Sequence, residues 1–281
     1  MDKHKKKLEI FPMLNAILIS LFIIIGYNYD KVGTLSKVFF SLKSFSLNFG
    51  VFVILSFLFY LVLKKLYLFL DNVLGRKKTD NKIIFFIFYK HPFISMFLAC
   101  FLLSIFYLIF FYPGTMSFDG NWQLNSYLGY WEWNNHHPAL LSFVMGKILA
   151  IGESLGNENL GIFFFIIIQV VINALILGYA LSFLNKIDAP LLVRIVAFLF
   201  FSTFPFWVIN SITYIKDTLY YLFLLYIFLY TYYHFKVLKD YRPKAFLWLT
   251  LLYCILYLLR NTGLYVGIIS LGALILINIK N

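Results

Sequence analysis

Four short polar stretches of this 281-residue chain bring together side chains of the types that move protons or hold anions. The first, residues 112–123, reads YPGTMSFDGNWQ and carries no Lys or Arg. Asp119 and Gln123 are four apart, so a helix beginning near Ser117 sets both on one face, with Asp119 near its positive end. Asp119 is there a helix cap, a solvated charge or a carboxylate that accepts a proton. The second stretch, WEWNNHHP at 131–138, joins interfacial tryptophans to His136 and His137. Consecutive side chains diverge on a helix, so this pair cannot chelate one metal in the i, i+4 manner. In an extended segment ending at Pro138, one histidine can face Asp119 and the other a phosphate. Lys216 and Asp217 form the third stretch, Arg260-Asn261-Thr262-Gly263 the fourth. Both have structural readings: a neutralised pair at a helix start, and an arginine that snorkels beside a glycine turn. Equally, bases next to helix termini make charge-assisted contacts with phosphate.

The elements that must position these groups are set by composition. With 62% hydrophobic and 13% charged residues, the chain is too apolar to cover itself with polar side chains in water, so a bilayer is its solvent. A span needs roughly 20 apolar residues. That rule predicts an all-α bundle of eight spans, near residues 10–26, 46–63, 93–112, 160–184, 190–209, 218–235, 245–259 and 263–279. Residues 138–151 are fewer and contain Lys147, which predicts an interfacial or re-entrant helix inside an external loop, 113–160. The N-terminal Lys run and first apolar stretch resemble a signal peptide, but Tyr27-Asn28-Tyr29-Asp30 offers no small-residue cleavage site, so the first span is expected to remain. Gln169 and Asn173, four apart inside a span, are expected to hydrogen-bond between helices, as is Asn15. Cys100 and Cys254 lie mid-run and read as small core hydrophobes.

The net charge of +12 could signal nucleic acid, but the bases sit in short clusters between apolar runs with no nucleic-acid motif, so none is expected as a partner. With the N-terminus cytoplasmic, eighteen Lys and Arg fall inside and six outside. Letting 138–151 span would throw seven inner bases outward, which the charge rule rejects. All four polar stretches then share the extracytoplasmic face. The sequence lacks a phosphate loop, a nucleophile elbow and a zinc helix, leaving ATP-driven and serine-hydrolase chemistry without a basis.

The ordered pattern YPG…D…HHP…KD…RNxG over roughly residues 111–267 resembles the GT-C superfamily of membrane glycosyltransferases, in a bacterial branch. The resemblance implies a polyprenyl-phosphate-linked sugar as donor in the outer leaflet of the cytoplasmic membrane, membrane lipids around it, and transfer to an extracytoplasmic acceptor. It implies an essential acid in the first large external loop, matched by Asp119, and basic residues at span ends for the donor phosphate, matched by Lys216 and Arg260. Gln123, Asp217 and Asn261 are then expected to contact substrate. His136 or His137 serves as phosphate ligand, second base, or ligand to a divalent cation. Two N-terminal spans with a basic loop (1–92) precede the transferase-like core (93–281). Relatives usually have more spans, often a further external domain, and one span before the loop, so a truncated C-terminus and added N-terminal spans are expected. A lipid or polysaccharide transporter is the rival reading, but it calls for charges or broken helices near the midplane, where this sequence has almost none. A non-enzymatic scaffold leaves the polar order without cause.

The charge distribution sets an expected labelling pattern. In a protein cleared of Cys100 and Cys254, cysteines replacing Asn121 and Asn159 should react with an impermeant thiol reagent added to intact cells. Labelling of Lys77→Cys instead would invert the topology.

Overall fold

The computed structural model describes residues 3–32, 42–73, 80–133 and 137–278, in two compact units, Met1–Gly75 and Arg76–Asn281. The first unit is an antiparallel pair, α1 (Lys3–Val32) and α2 (Leu42–Val73). Between them the Asn15 side-chain amide donates to the Tyr67 hydroxyl at 3.4 Å and that of Asn28 to Asn48 Oδ1 at 3.4 Å. Asn15 thus makes the interhelical bond expected of an amide with no water to turn to.

The second unit begins with α3 (Lys82–Phe85), which runs on as a π-helix over Phe86–Lys90 to α4 (Pro92–Phe110), β1 (Thr115–Met116) and α5 (Phe118–Tyr127). Then come α6 (Ala139–Ser154), α7 (Glu158–Lys186), α8 (Leu191–Thr203), α9 (Pro205–Ser211) and β2 (Thr213–Tyr214). The unit closes with α10 (Lys216–Thr231), continued by a π-helical Tyr232–Val237, then α11 (Pro243–Leu259) and α12 (Thr262–Asn278). Pro92, Pro205 and Pro243 open α4, α9 and α11, where a missing N–H costs nothing.

Helices dominate, and each of the eight predicted stretches falls on a helix or on the bent pair α8–α9. Four helices, α1, α2, α4 and α7, are long and apolar enough by themselves to cross a bilayer. The pair α8–α9, bent by 52°, is a fifth candidate, and α11 and α12 are shorter apolar helices. These are the elements of a multi-pass membrane protein. Among the described residues the departure from all-α, which the sequence does not announce, is a parallel bridge pairing Thr115 with Thr213 and Met116 with Tyr214.

The 29-residue α7 is the axis of this unit. α4 runs antiparallel to it, with the Phe93 carbonyl beside Gly178 and the Tyr112 and Phe163 rings 5.6 Å apart. α10 runs parallel to it, placing Tyr226 against Tyr179 and Tyr232 against Phe183. α6 folds back on the first turns of α7, buries Leu141, Met145 and Leu149, and does not rank among the span candidates. The fold-back depends on two glycines. A Cβ on Gly152 would lie 2.1 Å from the Gly161 nitrogen, and one on Gly161 would lie 2.5 Å from the Leu149 Cα.

At the far end of α7, Arg194, counted among the inner bases, is only 2% exposed. It donates to the Ala189 carbonyl at 2.7 Å, the Phe88 carbonyl at 3.0 Å and the Asn185 side-chain oxygen, with its guanidinium over the Tyr89 ring. A buried guanidinium is tolerable because its fork meets three acceptors. In the loop before α11, Arg242 grips both oxygens of Asp240 at 2.8 Å, and this holds the Asp240 carboxyl well below the usual carboxylate range.

The α6–α7 contact gives a controlled stability test. Gly161→Ala forces backbone apart and should cost about 1–3 kcal/mol, read as a lower unfolding midpoint of the detergent-purified protein. Gly272→Ala, with nothing within 4 Å of its added Cβ, should cost nothing measurable.

Candidate functional site

The site is built on the α4–α5 and α9–α10 connections, which the β bridge locks side by side. Thr115 N donates to the Ile212 carbonyl at 3.0 Å, and the Thr115 and Thr213 hydroxyls meet at 2.7 Å. Two glycines admit this approach. Gly114 has φ +134°, and a Cβ there would lie 2.9 Å from the Ile212 carbonyl oxygen. At Gly120 a Cβ would come within 2.0 Å of the Tyr214 carbonyl oxygen. Ser117 is the cap of α5: its hydroxyl accepts from Gly120 N at 2.9 Å and donates to the Tyr214 carbonyl at 3.0 Å. Asp119 is therefore not the cap, although it sits in the first turn.

Instead Asp119 meets Lys216. Lys216 is 2% exposed, and its ammonium lies 2.6 Å from Asp119 Oδ2 and 3.9 Å from Asp217 Oδ1. An ammonium so far out of water persists only with a counter-charge at contact distance. Asp217 Oδ1 is in turn 3.4 Å from Arg260 Nη1. The four charges alternate in sign along a row, Asp119, Lys216, Asp217, Arg260, and sum to zero. Arg260 stands over the Tyr220 ring, whose hydroxyl accepts from Thr262 at 3.3 Å. Lys216, expected to hold a phosphate, spends its charge on carboxylates, and Arg260, 34% exposed, is the more open base.

The remaining candidates divide. Gln123, expected to face substrate with Asp119, is wholly buried; its amide donates to Ser142 at 2.9 Å, tying α5 to α6, and its Oε1 has no partner among the described residues. His137 is 7% exposed just ahead of α6 and packs on Trp122, which itself packs on Trp131 at 4.6 Å. His136 lies outside the described residues. Asn261 sits in the short turn between α11 and α12, beside Arg260, and its carbonyl accepts from Leu264 at 3.2 Å. Among the described residues no three His, Cys, Asp or Glu side chains group as metal ligands.

Gln169, expected to hydrogen-bond between helices, does so from α7 to α9, in a positioning role that sequence reasoning missed. Gln169 is completely buried, and its amide nitrogen reaches the carbonyls of Asn210, Ser211 and Thr213 at 3.2, 3.0 and 2.7 Å, clamping the turn that delivers Lys216. Its position four before Asn173 was visible, but its partners were not. Asn173 departs from expectation: it makes no interhelical bond among the described residues, and instead lines a cavity of about 260 Å³ between α7, α9 and α10. Asn210, Asp217 and Thr218 stand at the same end of that cavity.

Residues 130–281, more than half of the chain, match the family described as "Family of unknown function (DUF6020)", and the chain belongs to that family. The match takes in His137, Lys216, Asp217 and Arg260, while Asp119 and Gln123 lie ahead of it. No curated protein and no solved structure matches the chain.

The Asp119–Lys216 contact has a measurable consequence. Asp119→Asn leaves a buried ammonium facing a neutral amide, and because Asp119 is partly exposed the loss should be about 2 kcal/mol rather than the full cost of a buried pair. Lys216→Met added to Asp119→Asn should recover most of it in a double-mutant cycle. Additive losses would mean the two residues do not stabilise each other.

Proposed function

We propose that this protein is a glycosyltransferase of the GT-C type, transferring a sugar from a polyprenyl-phosphate donor to an acceptor on the outer side of a bacterial cytoplasmic membrane. In this reading the eight helical stretches each cross the bilayer, the N-terminus is cytoplasmic and the charge row faces outward. The observation that carries the reading is the row itself. Four charges from three separated stretches, in the order of the pattern that resembles the glycosyltransferases, meet in one row, and one of them, Asp217, lines the cavity between α7, α9 and α10. Scaffolds have no need of such a convergence.

Transfer from a polyprenyl phosphate asks little of the protein. The phosphate is already a good leaving group, so a base near the acceptor hydroxyl and a cation near the departing oxygen suffice. Arg260 is the cation best placed to receive that charge, since a guanidinium can hold two phosphate oxygens at once. Asp119 and Asp217 are the carboxylates beside it, and Lys216 fixes their spacing. His137 borders this region through Trp122, and with His136 it is the candidate for a phosphate or divalent-cation contact.

The transporter reading has one observation on its side, the 52° break between α8 and α9, and the same experiment separates the two. Purified protein in liposomes, given a radiolabelled polyprenyl-phosphate sugar and envelope lipid extract, should transfer label to extract. Arg260→Lys should weaken retention of undecaprenyl phosphate by roughly tenfold, because it keeps charge but loses the fork. Label that crosses the bilayer without changing its covalent partner would make the protein a transporter. Unchanged retention in both Arg260→Lys and Arg260→Ala would remove that residue from the phosphate site.

A further inference from the structure

The cavity between α7, α9 and α10 is amphipathic along its length. α7 and α10 run parallel, so their lining residues can be read in register. Asn173 on α7 stands with Asp217 and Thr218 at the start of α10 and Asn210 at the end of α9. Further along the same helices come Leu177, Leu222 and Leu225, with Phe201 from α8 closing that end. The lining is mostly aliphatic and aromatic, and its polar residues gather toward the start of α10.

Two features of the polar end call for a ligand. Asn173 is only 7% exposed, and its side chain has no hydrogen-bond partner among the described residues, although it borders the cavity. Its amide opens onto the cavity rather than being sealed in protein, so a ligand there can reach it. Asp217 is the one charged side chain in the lining, and its contacts with Lys216 and Arg260 both fall on Oδ1. Oδ2 therefore remains as an acceptor. The Thr218 hydroxyl is spent on the Asn210 carbonyl at 2.9 Å. A head group that fits here donates a hydrogen bond to a carboxylate and exchanges one with an amide, and it is not an anion, since the lining offers no cation to meet it. The size is equally restrictive. An apolar cavity of ~150 Å³ holds a benzene ring, so this one holds roughly ten carbon atoms by the same ratio.

We infer that this cavity seats an amphipathic alcohol, its hydroxyl donating to Asp217 Oδ2 with Asn173 alongside and its chain lying down α7 and α10, and that this alcohol is the acceptor. The acceptor role rests on the transferase reading above; the binding site does not. In the transfer, the hydroxyl proton passes to Asp217 Oδ2 as the acceptor oxygen bonds to the anomeric carbon. The bond from that carbon to the donor phosphate oxygen breaks, and its electron pair leaves with the polyprenyl phosphate, whose charge Arg260 meets. Asp217 is then the acceptor-side catalytic residue, and Asp119, whose Oδ2 is held by Lys216, positions the row.

Trp207 lines the cavity and reports its occupancy. In detergent-purified full-length protein, 8-bromooctanol, which is of the size the cavity holds, should quench tryptophan emission saturably, and Trp207→Phe should abolish the saturable part. Asn173→Leu and Asp217→Leu should each weaken binding about tenfold; Asn173 is outside the charge row, so it keeps the test valid if the aspartate variant fails to fold. 8-Bromooctyl phosphate should bind at least tenfold more weakly than the alcohol. Absence of Trp207-dependent saturation, or a phosphate that binds as tightly as the alcohol, overturns the site. Binding without transfer from any polyprenyl-phosphate sugar defeats the transferase and leaves the site; transfer without binding does the reverse.

Discussion

A lysine ammonium cannot be taken out of water alone, and the end of the second unit that carries Lys216 is organised around that constraint. Lys216 is 2% exposed at the first position of α10. A helix start is electrostatically the wrong place for a cation, because the unsatisfied N–H groups there carry partial positive charge. Two carboxylates offset both penalties, Asp119 at 2.6 Å and Asp217 at 3.9 Å. To bring Asp119 so close, α5 must abut β2, which explains Gly120 against the Tyr214 carbonyl, the Ser117 link and the β bridge. The contacts that neutralise Lys216 and the contacts that hold the fold run through the same residues.

The opposite end of the unit meets the same problem differently. Arg194 is equally buried, yet its partners are carbonyls and an amide rather than carboxylates. A delocalised guanidinium with five fixed donors can be satisfied by dipoles, whereas a compact ammonium is held best by full negative charge. Arg194 therefore fastens the ends of three helical segments without creating a reactive group. Lys216 fastens two connections and leaves carboxylates beside an open cavity.

Much of this was legible in the sequence. Apolar runs bounded by Pro, Gly and charge mark the helices, because a bilayer admits few alternatives. The polar stretches around Asp119, Lys216 and Arg260 could be placed together once the spans between them were counted. What the sequence could not display was partnership. Nothing in residues 112–123 says that Ser117 caps while Asp119 reaches across to Lys216, since both types cap well. Gln169 and Asn173 look alike in one dimension, and only three-dimensional placement gives one three carbonyls and the other a cavity. Two-residue strands carry no periodicity to detect, and nothing in one dimension names the carbonyls that oppose Gly114 and Gly120.

The pairing of Asp119 with Lys216 joins positions 97 residues apart. A ribosome adding ~5–20 residues per second separates their syntheses by roughly 5–20 s. Throughout that interval α4 and α5 exist without the cation that Asp119 is shaped to meet, and α6 to α9 must already be threaded before it arrives. Lys216, by contrast, emerges with its counter-ion waiting, so its desolvation can follow capture. The site is thus assembled late and in a fixed order, set by the direction of translation: the acid precedes the base.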